Sequence, residues 1–367
     1  MKLIICGGGT GGHVSPAIAI YEALKEECKD SEFLFVGRDN GAENHAYKAT
    51  GERLETLSVS GIDRKSVTKA AKSVLSAIRA RRAAKNLIKT ENPDIIIGTG
   101  GYVCWPILNA GAKMGIPTVI HESNALPGLT TRILCRQIDL VLLNYAEAAE
   151  QLSRKDNIHV VGNPLRKEFR KIDKRLARRK LGVRDQDVMI LSFGGSLGAQ
   201  KLNEAVIDLM RCYSSKKSNI KHLHAMGAGN YKELAEQTLS NINNKNGCKV
   251  VPYIDDMATA MSAADIVISR CGAMTLSEIC AVGVAPILIP SPNVVDNHQL
   301  KNAKHLENLG AAVIIEERNL SLRSLMDEVR ELVENSERRI KLATQASKLG
   351  EKDTSMLICT KILSLVK

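Results

Sequence analysis

Aromatic side chains make up only 3% of the 367 residues, with a single tryptophan, Trp105, and four phenylalanines. A core must therefore be built from Ile, Leu, Val and Ala, which suits buried parallel strands covered by helices. Stacking platforms for nucleic-acid bases are correspondingly scarce, and no nucleic-acid motif is present, so a nucleic acid is not expected as a partner. No apolar run reaches the roughly 18 residues that a membrane-spanning helix needs. The apolar stretch Leu3-Ile4-Ile5-Cys6 is too short for a signal peptide and runs straight into glycines. No CxxC pair occurs among the nine cysteines; they sit in apolar runs, as at Cys6, Cys135 and Cys280, and read as buried free thiols of a reducing compartment. These absences leave a protein that is cytosolic or peripheral to a membrane. What is abundant is positive charge: the net charge of +11 asks for an anionic partner such as a phosphorylated substrate or a membrane surface.

Short Ile- and Val-rich runs alternate with longer helical patterns. Strands are predicted at 3–6, 33–36, 94–97, 118–121, 139–143 and 159–161, and again at 188–193, 221–225, 249–251, 265–269, 285–289 and 312–315. Such alternation reads as βαβ units in parallel sheets. Two sets of six strands in 367 residues predict two doubly wound α/β domains, each with its site at the carboxyl ends of its strands. Turn residues at Gly162-Asn163-Pro164 put the boundary there, giving domains 1–163 and 164–344, with 345–367 packing back on the first. The basic segment from Arg166 to Arg184 reads as a solvated helix face, Arg166 excepted.

Glycine clusters follow three of the predicted strands. Gly7-Gly8-Gly9-Thr10-Gly11-Gly12-His13 follows the first, Gly98-Thr99-Gly100-Gly101-Tyr102 the third, and Gly194-Gly195-Ser196-Leu197-Gly198 opens the second domain. Glycine lets backbone N–H groups approach a phosphate, and a following helix, expected from about Pro16, turns its positive end to an anion. Three such loops point to a phosphate-bearing ligand. No acidic residue ends the second strand, which disfavours a dinucleotide, although Arg38 leaves an NADP-like ligand open. Gly272 begins another strand-to-helix turn; the N–H groups of Ala273, Met274 and Thr275 then face a pyrophosphate, with Leu276 and Ser277 following. Glu278, one turn on, either accepts ribose hydroxyls or complements the helix dipole. His13 is either a general base or a helix cap.

Six segments in order, Gly8–Val14, His121-Glu122-Ser123-Asn124, Gly162–Arg166, Gly194-Gly195-Ser196, Tyr253–Met257 and Asp296-Asn297-His298-Gln299, resemble the MurG family of glycosyltransferases across nearly the whole chain. The resemblance implies the GT-B architecture, two Rossmann-like domains with a cleft, and transfer of N-acetylglucosamine from UDP-N-acetylglucosamine to a lipid-linked N-acetylmuramoyl-pentapeptide on the cytoplasmic face of the inner membrane. By motif, Ile254 meets uracil and Glu278 the ribose. Ser196, Arg166 and the N–H groups of Ala273, Met274 and Thr275 hold the diphosphate, and Asn124, His298 and Gln299 contact the sugar. Thr10, Gly11 and Gly12 line the same ligand, while Thr10, His13, Gly100, Gly101 and Tyr102 lie on the acceptor side. Cys271, Ala285 and Ser291 depart from the family's usual serine, proline and tyrosine, at positions that carry no chemistry.

The resemblance also implies inversion by one displacement, with His13 as base. Asp185-Gln186-Asp187 has metal-motif spacing but precedes its strand, the wrong end for a cleft, and Asp255-Asp256 reads as a helix cap. Neither a cofactor nor a donor-site metal is expected. Residues 64–89 carry nine Lys or Arg and no acid, with Val67, Ala71, Val74, Leu75 and Ile78 at helical spacing. Such a stretch binds an anionic membrane surface, or packs its stripe on its own sheet. Trp105 fits either that surface or the core. The rival functions are a diacylglycerol glycosyltransferase and a UDP-sugar epimerase of the same fold.

Overall fold

The structure is a computed structural model that describes residues 1–41, 43–59, 67–170, 173–195, 197–214, 219–227, 242, 247–294, 297–350 and 353–366; the side chains of 67–77 and 214 are outside it. Ser196, Asp296 and residues 64–66 therefore lie outside the described residues, as do the side chains of Val67, Ala71, Val74 and Leu75. The chain forms two compact units, Met1–Lys167 with Lys352–Lys367, and Glu168–Glu351.

Among the described residues the first unit holds seven parallel strands and the second six; those of the first are β1 (Lys2–Cys6), β2 (Glu32–Arg38), β3 (Arg53–Leu57), β4 (Ile95–Gly98), β5 (Thr118–Glu122), β6 (Leu140–Leu143) and β7 (Ile158–Val160), in the order β3-β2-β1-β4-β5-β6-β7. Those of the second are β8 (Val188–Phe193), β9 (Ile220–Ala225), β10 (Cys248–Val251), β11 (Ile266–Ser269), β12 (Ala285–Leu288) and β13 (Val313–Ile314), ordered β10-β9-β8-β11-β12-β13. Both are doubly wound Rossmann-like sheets. Their order reverses between β1 and β4 and between β8 and β11, and ligands of such sheets bind beside the carboxyl ends at that reversal.

The central strands are buried along their length, as in Ile4-Ile5-Cys6 and Ile95-Ile96-Ile97, which is why aliphatic runs located them. β3 was not predicted. It is an edge strand, Arg-Leu-Glu-Thr-Leu, whose only buried residue is Leu57, so it carries no apolar run to read. Register in the first unit is parallel throughout, with Leu3 beside Phe33 on one flank and Ile95 on the other.

The predicted boundaries fall a few residues early. Helix Ser336–Lys348 packs on β12 and on helix Ala273–Val282, which keeps the chain in the second unit beyond 344. Helix Thr354–Leu363 then lies on helix Gly11–Glu27, burying Ile358, Cys359 and Ile362 among Leu3, Ile5, Ala17 and Ile20. One hydroxyl fixes the return: the Leu165 N–H donates to Ser355 Oγ at 3.1 Å, and Ser355 Oγ–H donates to the Leu165 carbonyl at 3.0 Å.

Trp105 packs against the core of the first unit and so joins the core alternative. Helix Val67–Glu91 buries Ala80, Ala84 and Ile88 in the same core, while Ile78, predicted to continue the apolar stripe, is 48% exposed beside exposed Arg79 and Arg82. Over its described half, then, the helix packs its own stripe inward and leaves Ile78 with the cations outward.

Replacing fully buried Ile358 with Ala should destabilise the first unit by about 2–4 kcal/mol. Urea unfolding followed by the fluorescence of Trp105, which reports on that unit alone, should show an earlier midpoint.

Candidate functional site

The two glycine loops of the first unit meet at its strand-order reversal. Gly8 N–H donates to the Gly100 carbonyl at 3.3 Å, and Thr99 Oγ1 donates to the His13 carbonyl at 2.6 Å. Gly101 sits at φ +87°, and a Cβ there would lie 2.1 Å from the Gly8 carbonyl oxygen, so only glycine permits this approach.

The following helix begins at Gly11 rather than near Pro16, with Thr10 as its N-cap residue. Thr10 accepts the first helical bond on its carbonyl, from His13 N–H at 3.0 Å. The early start places His13 in the first turn instead of at the end of the loop. Its Nδ1 lies 3.0 Å from the Gly8 carbonyl and 3.3 Å from Thr10 Oγ1. A carbonyl can only accept, so Nδ1 carries the hydrogen and the neutral ring keeps its lone pair on Nε2. The ring lies against Gly100, where a Cβ would come within 2.8 Å of Nε2. Tyr102, next after Gly101 in the chain, is 47% exposed.

Two residues not predicted from the sequence hold this loop from beneath. Glu43, whose side chain is buried, accepts from Gly9 N–H at 3.3 Å and Arg38 N–H at 3.0 Å. Burial by itself would raise its carboxyl pKa. Its own backbone N–H, those of Arg38 and Gly9, and the Arg38 charge outweigh that and hold it below the ordinary value. Tyr47 donates to the Gly7 carbonyl at 2.6 Å and stacks on Phe35. Arg38 Nε lies 3.7 Å from the Glu43 carboxylate, an ion pair that accounts for an arginine at the end of β2 without an NADP-like ligand. The Gly8 and Gly9 N–H groups are likewise spent within the protein, so an anion at this loop meets the exposed turn from Thr10 to Gly12 instead.

Glu122 organises the loop after β5. Its buried carboxylate accepts from Asn124 N–H (3.0 Å), Asn124 Nδ2 (3.1 Å), Gly128 N–H (2.8 Å) and Thr131 Oγ1 (2.8 Å). Asn124 is therefore held by its neighbour two residues back. Thr130 Oγ1 donates to the Gly101 carbonyl at 3.3 Å and joins this loop to the β4 loop. His121, fully buried, has its imidazole pKa pushed down by that burial and donates Nε2–H to the Gly162 carbonyl at 3.0 Å.

In the second unit, the turn at Gly194, Gly195 and Gly198 follows β8, and Arg270-Cys271-Gly272 follows the adjacent β11. Gly272 is the N-cap residue of helix Ala273–Val282 and offers no side-chain cap; Ala273, Met274 and Thr275 form the first turn. Ala273, Met274, Leu276 and Glu278 are buried, Thr275 and Ser277 half-buried. Arg270 donates to the carbonyls of Ile289 (3.2 Å) and Pro290 (3.3 Å) and pairs with Glu317, so its charge is already balanced. Gln299 Oε1 accepts from Cys271 N–H (3.2 Å) and Ser291 N–H (2.9 Å), which points its amide hydrogens elsewhere. His298 precedes it as the first residue of helix His298–Asn308, and half-buried Ile254 follows β10. Burial pushes the Cys271 thiol far up, so it is not a nucleophile.

Thr10, Gly11, Gly12, His13, Gly100, Gly101, Tyr102 and Asn124 are brought to one end of the first sheet. Ile254, Ala273 to Glu278, His298 and Gln299 gather at one end of the second. Arg166, half-buried, falls in the first unit and not in the second as expected. Asp187 sits immediately before β8 and pairs with Arg184 at 2.8 Å; Asp256 caps helix Met257–Ala263 by accepting from Thr259 N–H at 3.0 Å.

Residues 3–143 match the Glycosyltransferase family 28 N-terminal domain and residues 189–358 the Glycosyltransferase family 28 C-terminal domain. The chain is 38% identical to the UDP-N-acetylglucosamine--N-acetylmuramyl-(pentapeptide) pyrophosphoryl-undecaprenol N-acetylglucosamine transferase of Thermoanaerobacter sp. (strain X514), over 100% of this chain and 99% of that protein. The crystal structure of Acinetobacter baumannii MurG superposes with a TM-score of 0.77 and 26% identity, covering 99% of both chains. UDP-GlcNAc 2-epimerase from Neisseria meningitidis, solved bound to UDP-GlcNAc, superposes with a TM-score of 0.67 at 12% identity, over 99% of this chain and 100% of that one. The second likeness is one of fold alone.

Glu43→Gln tests the support beneath the loop. A carboxyl held below its ordinary value of 4.5 stabilises the fold above that pH, and the stabilisation is lost as the pH falls through the folded value. Urea unfolding should therefore show the variant less stable than the parent at pH 7, with the gap closing toward pH 3.

Proposed function

We propose that this chain, which belongs to glycosyltransferase family 28, transfers N-acetylglucosamine from UDP-N-acetylglucosamine to a lipid-linked N-acetylmuramoyl-pentapeptide, a step of peptidoglycan synthesis. The observation that carries this reading is the 38% identity to a transferase so named, with no part of the chain left outside the alignment. The fold, of the GT-B type, is shared with epimerases and does not by itself choose between them. Neither the diacylglycerol nor the epimerase alternative finds comparable support.

The acceptor C4 hydroxyl attacks the anomeric carbon of the donor sugar. A carbon–oxygen bond forms there as the bond to UDP breaks, and the configuration inverts. His13 takes the hydroxyl proton on Nε2, the ring nitrogen opposite the Nδ1–H that the Gly8 carbonyl orients. Negative charge develops on the leaving diphosphate. The N–H groups of Ala273, Met274 and Thr275 at the start of helix Ala273–Val282, together with Arg166 and Ser196, stabilise it. Glu278 accepts the ribose hydroxyls and Ile254 meets uracil. Gln299 donates its amide hydrogens to the sugar beside His298, and Asn124, held by Glu122, contacts the same ring. Thr10 to Gly12, Gly100, Gly101 and Tyr102 line the acceptor side.

A lipid-anchored acceptor requires contact with a bilayer. No helix among the described residues is long and apolar enough to cross one. The basic helix Val67–Glu91, with Ile78, Arg79 and Arg82 exposed, is the surface that meets anionic lipid on the cytoplasmic face.

Two measurements test this reading. UDP release from UDP-N-acetylglucosamine should depend on a short-chain lipid-linked N-acetylmuramoyl-pentapeptide and fall about 10²–10⁴-fold in His13→Ala; release that survives the mutation removes His13 as base. Reversing the charge at Arg79, Arg81 and Arg82 should weaken binding to anionic vesicles while leaving UDP-sugar binding intact. Unchanged vesicle binding discards the membrane surface.

A further inference from the structure

The second unit buries a polar chain that the proposed chemistry does not use. Ser192 on β8 and His224 on β9 are register partners, and His222 lies two residues back on the same face. All three are buried to within 1%. Ser192 Oγ is 2.6 Å from His222 Nε2 and 2.8 Å from His224 Nδ1; the Ser192 carbonyl is 3.2 Å from that same Nδ1, and Tyr213 Oη meets His222 Nδ1. The carbonyl can only accept, and this fixes every hydrogen. His224 Nδ1–H donates to Ser192, Ser192 Oγ–H donates to His222 Nε2, and His222 Nδ1–H donates to Tyr213 Oη. His224 Nε2 is left as a buried acceptor with no partner among the described residues.

This chain ends directly under a glycine turn. Ser192 is two residues before Gly194, and His224 three before Gly227. Gly227, at φ +93°, lies so close to the Gly198 backbone that a Cβ would come within 2.2 Å of its nitrogen. Asn203, at the start of the helix after that turn, donates to the Met226 carbonyl at 2.9 Å. The loop after β9 is thus the floor of the loop after β8, and the side-chain relay ties the two strand ends together.

We propose that Ser192, His222, His224 and Tyr213 form a positioning relay that holds the turn at Gly194, Gly195 and Gly198 for the donor diphosphate and releases it on acidification. The ligand named here rests on the donor reading given above.

Burial pushes both imidazoles down, His224 to about 4 from an ordinary 6.5 and His222 well below it, with His224 adding to the shift of His222. Among the described residues, the other titratable groups that face them are Tyr213 from helix Gln200–Ser214 and Cys248 from β10. Burial pushes both up, so neither carries charge in this range; Cys212 lies beyond Tyr213 and Lys221 beyond Cys248. Among the described residues, helix Leu322–Glu334 and β11 present hydrophobic side chains to this core, among them Leu325, Val329, Leu332, Ile266 and Ile268. The folded state binds these protons more weakly than an opened one. Stability is therefore whole above pH 6.5 and lost as the pH falls from there toward 4. For His224 alone, opening should gain about 30-fold between pH 7.5 and pH 5.

Amide hydrogen exchange on the full chain, corrected for intrinsic rates, measures that opening. Protection at the ends of β8 and β9 should fall by about 30-fold or more between pH 7.5 and pH 5, and the fall should shrink at least about tenfold in His224→Gln. Equal falls in the two proteins overturn the proposal. Ser192→Ala, which keeps both imidazoles but cuts the link between them, is the second variant. It should raise KM for UDP-N-acetylglucosamine several-fold at pH 7.5 with kcat kept; an unchanged KM overturns the positioning role. UDP-N-acetylglucosamine is the right probe because its diphosphate is esterified at both ends and takes up no proton between pH 5 and 8. If the parent fails to bind it at pH 7.5, the transferase reading falls, while the exchange comparison still decides the relay.

Discussion

The backbone of Gly8 and the backbone of Gly101 touch, and much of the first unit is arranged around that contact. No side chain fits between them, so the loops after β1 and β4 press together where the strand order reverses. The contact turns the Gly8 carbonyl toward His13 and gives that ring a flat glycine bed at Gly100. Glu43 and Tyr47 hold the underside of the same loop through Gly9 and Gly7. A buried carboxylate among backbone N–H groups is a costly feature unless it is fully hydrogen-bonded, and here it is. Orienting one imidazole thus draws in strands, a short helix and two loops.

The second unit solves a related problem with different means. Its glycine turn rests on another glycine, Gly227, and on Asn203, while a helix start on the adjacent strand supplies N–H groups. Arg270 is not a free cation beside that helix; it is neutralised by Glu317 and spends its other hydrogens on the carbonyls of Ile289 and Pro290. Charge stabilisation there falls mainly to backbone dipoles, which need no reorganisation when charge moves.

Much of this was legible in the residue order. Buried parallel strands are continuous aliphatic runs, so twelve of the thirteen among the described residues could be read, and β3 was missed because an edge strand with one buried residue has no such run. The glycine loops were found at strand ends because glycine is demanded where backbones meet. The helix start at Gly11 was misread because two glycines are poor helix formers, and tertiary contact outweighs that preference. Glu43 and Tyr47 were missed because nothing local marks a carboxylate that will be buried by a loop more than thirty residues earlier. His222 and His224 did leave a signal, two polar residues at period two within a core strand.

Helix Thr354–Leu363 belongs to the first unit, yet it is made after every residue of the second. A nascent chain that folds its amino-terminal part first cannot finish here. Ile358, Cys359 and Ile362 reach their places beside Leu3 and Ile5 only late in synthesis, and until then an apolar face of the first unit stays uncovered. Folding of the two units is therefore coupled in time: the unit begun first is completed last, and a chain stopped after the second unit would present an open seam to chaperones.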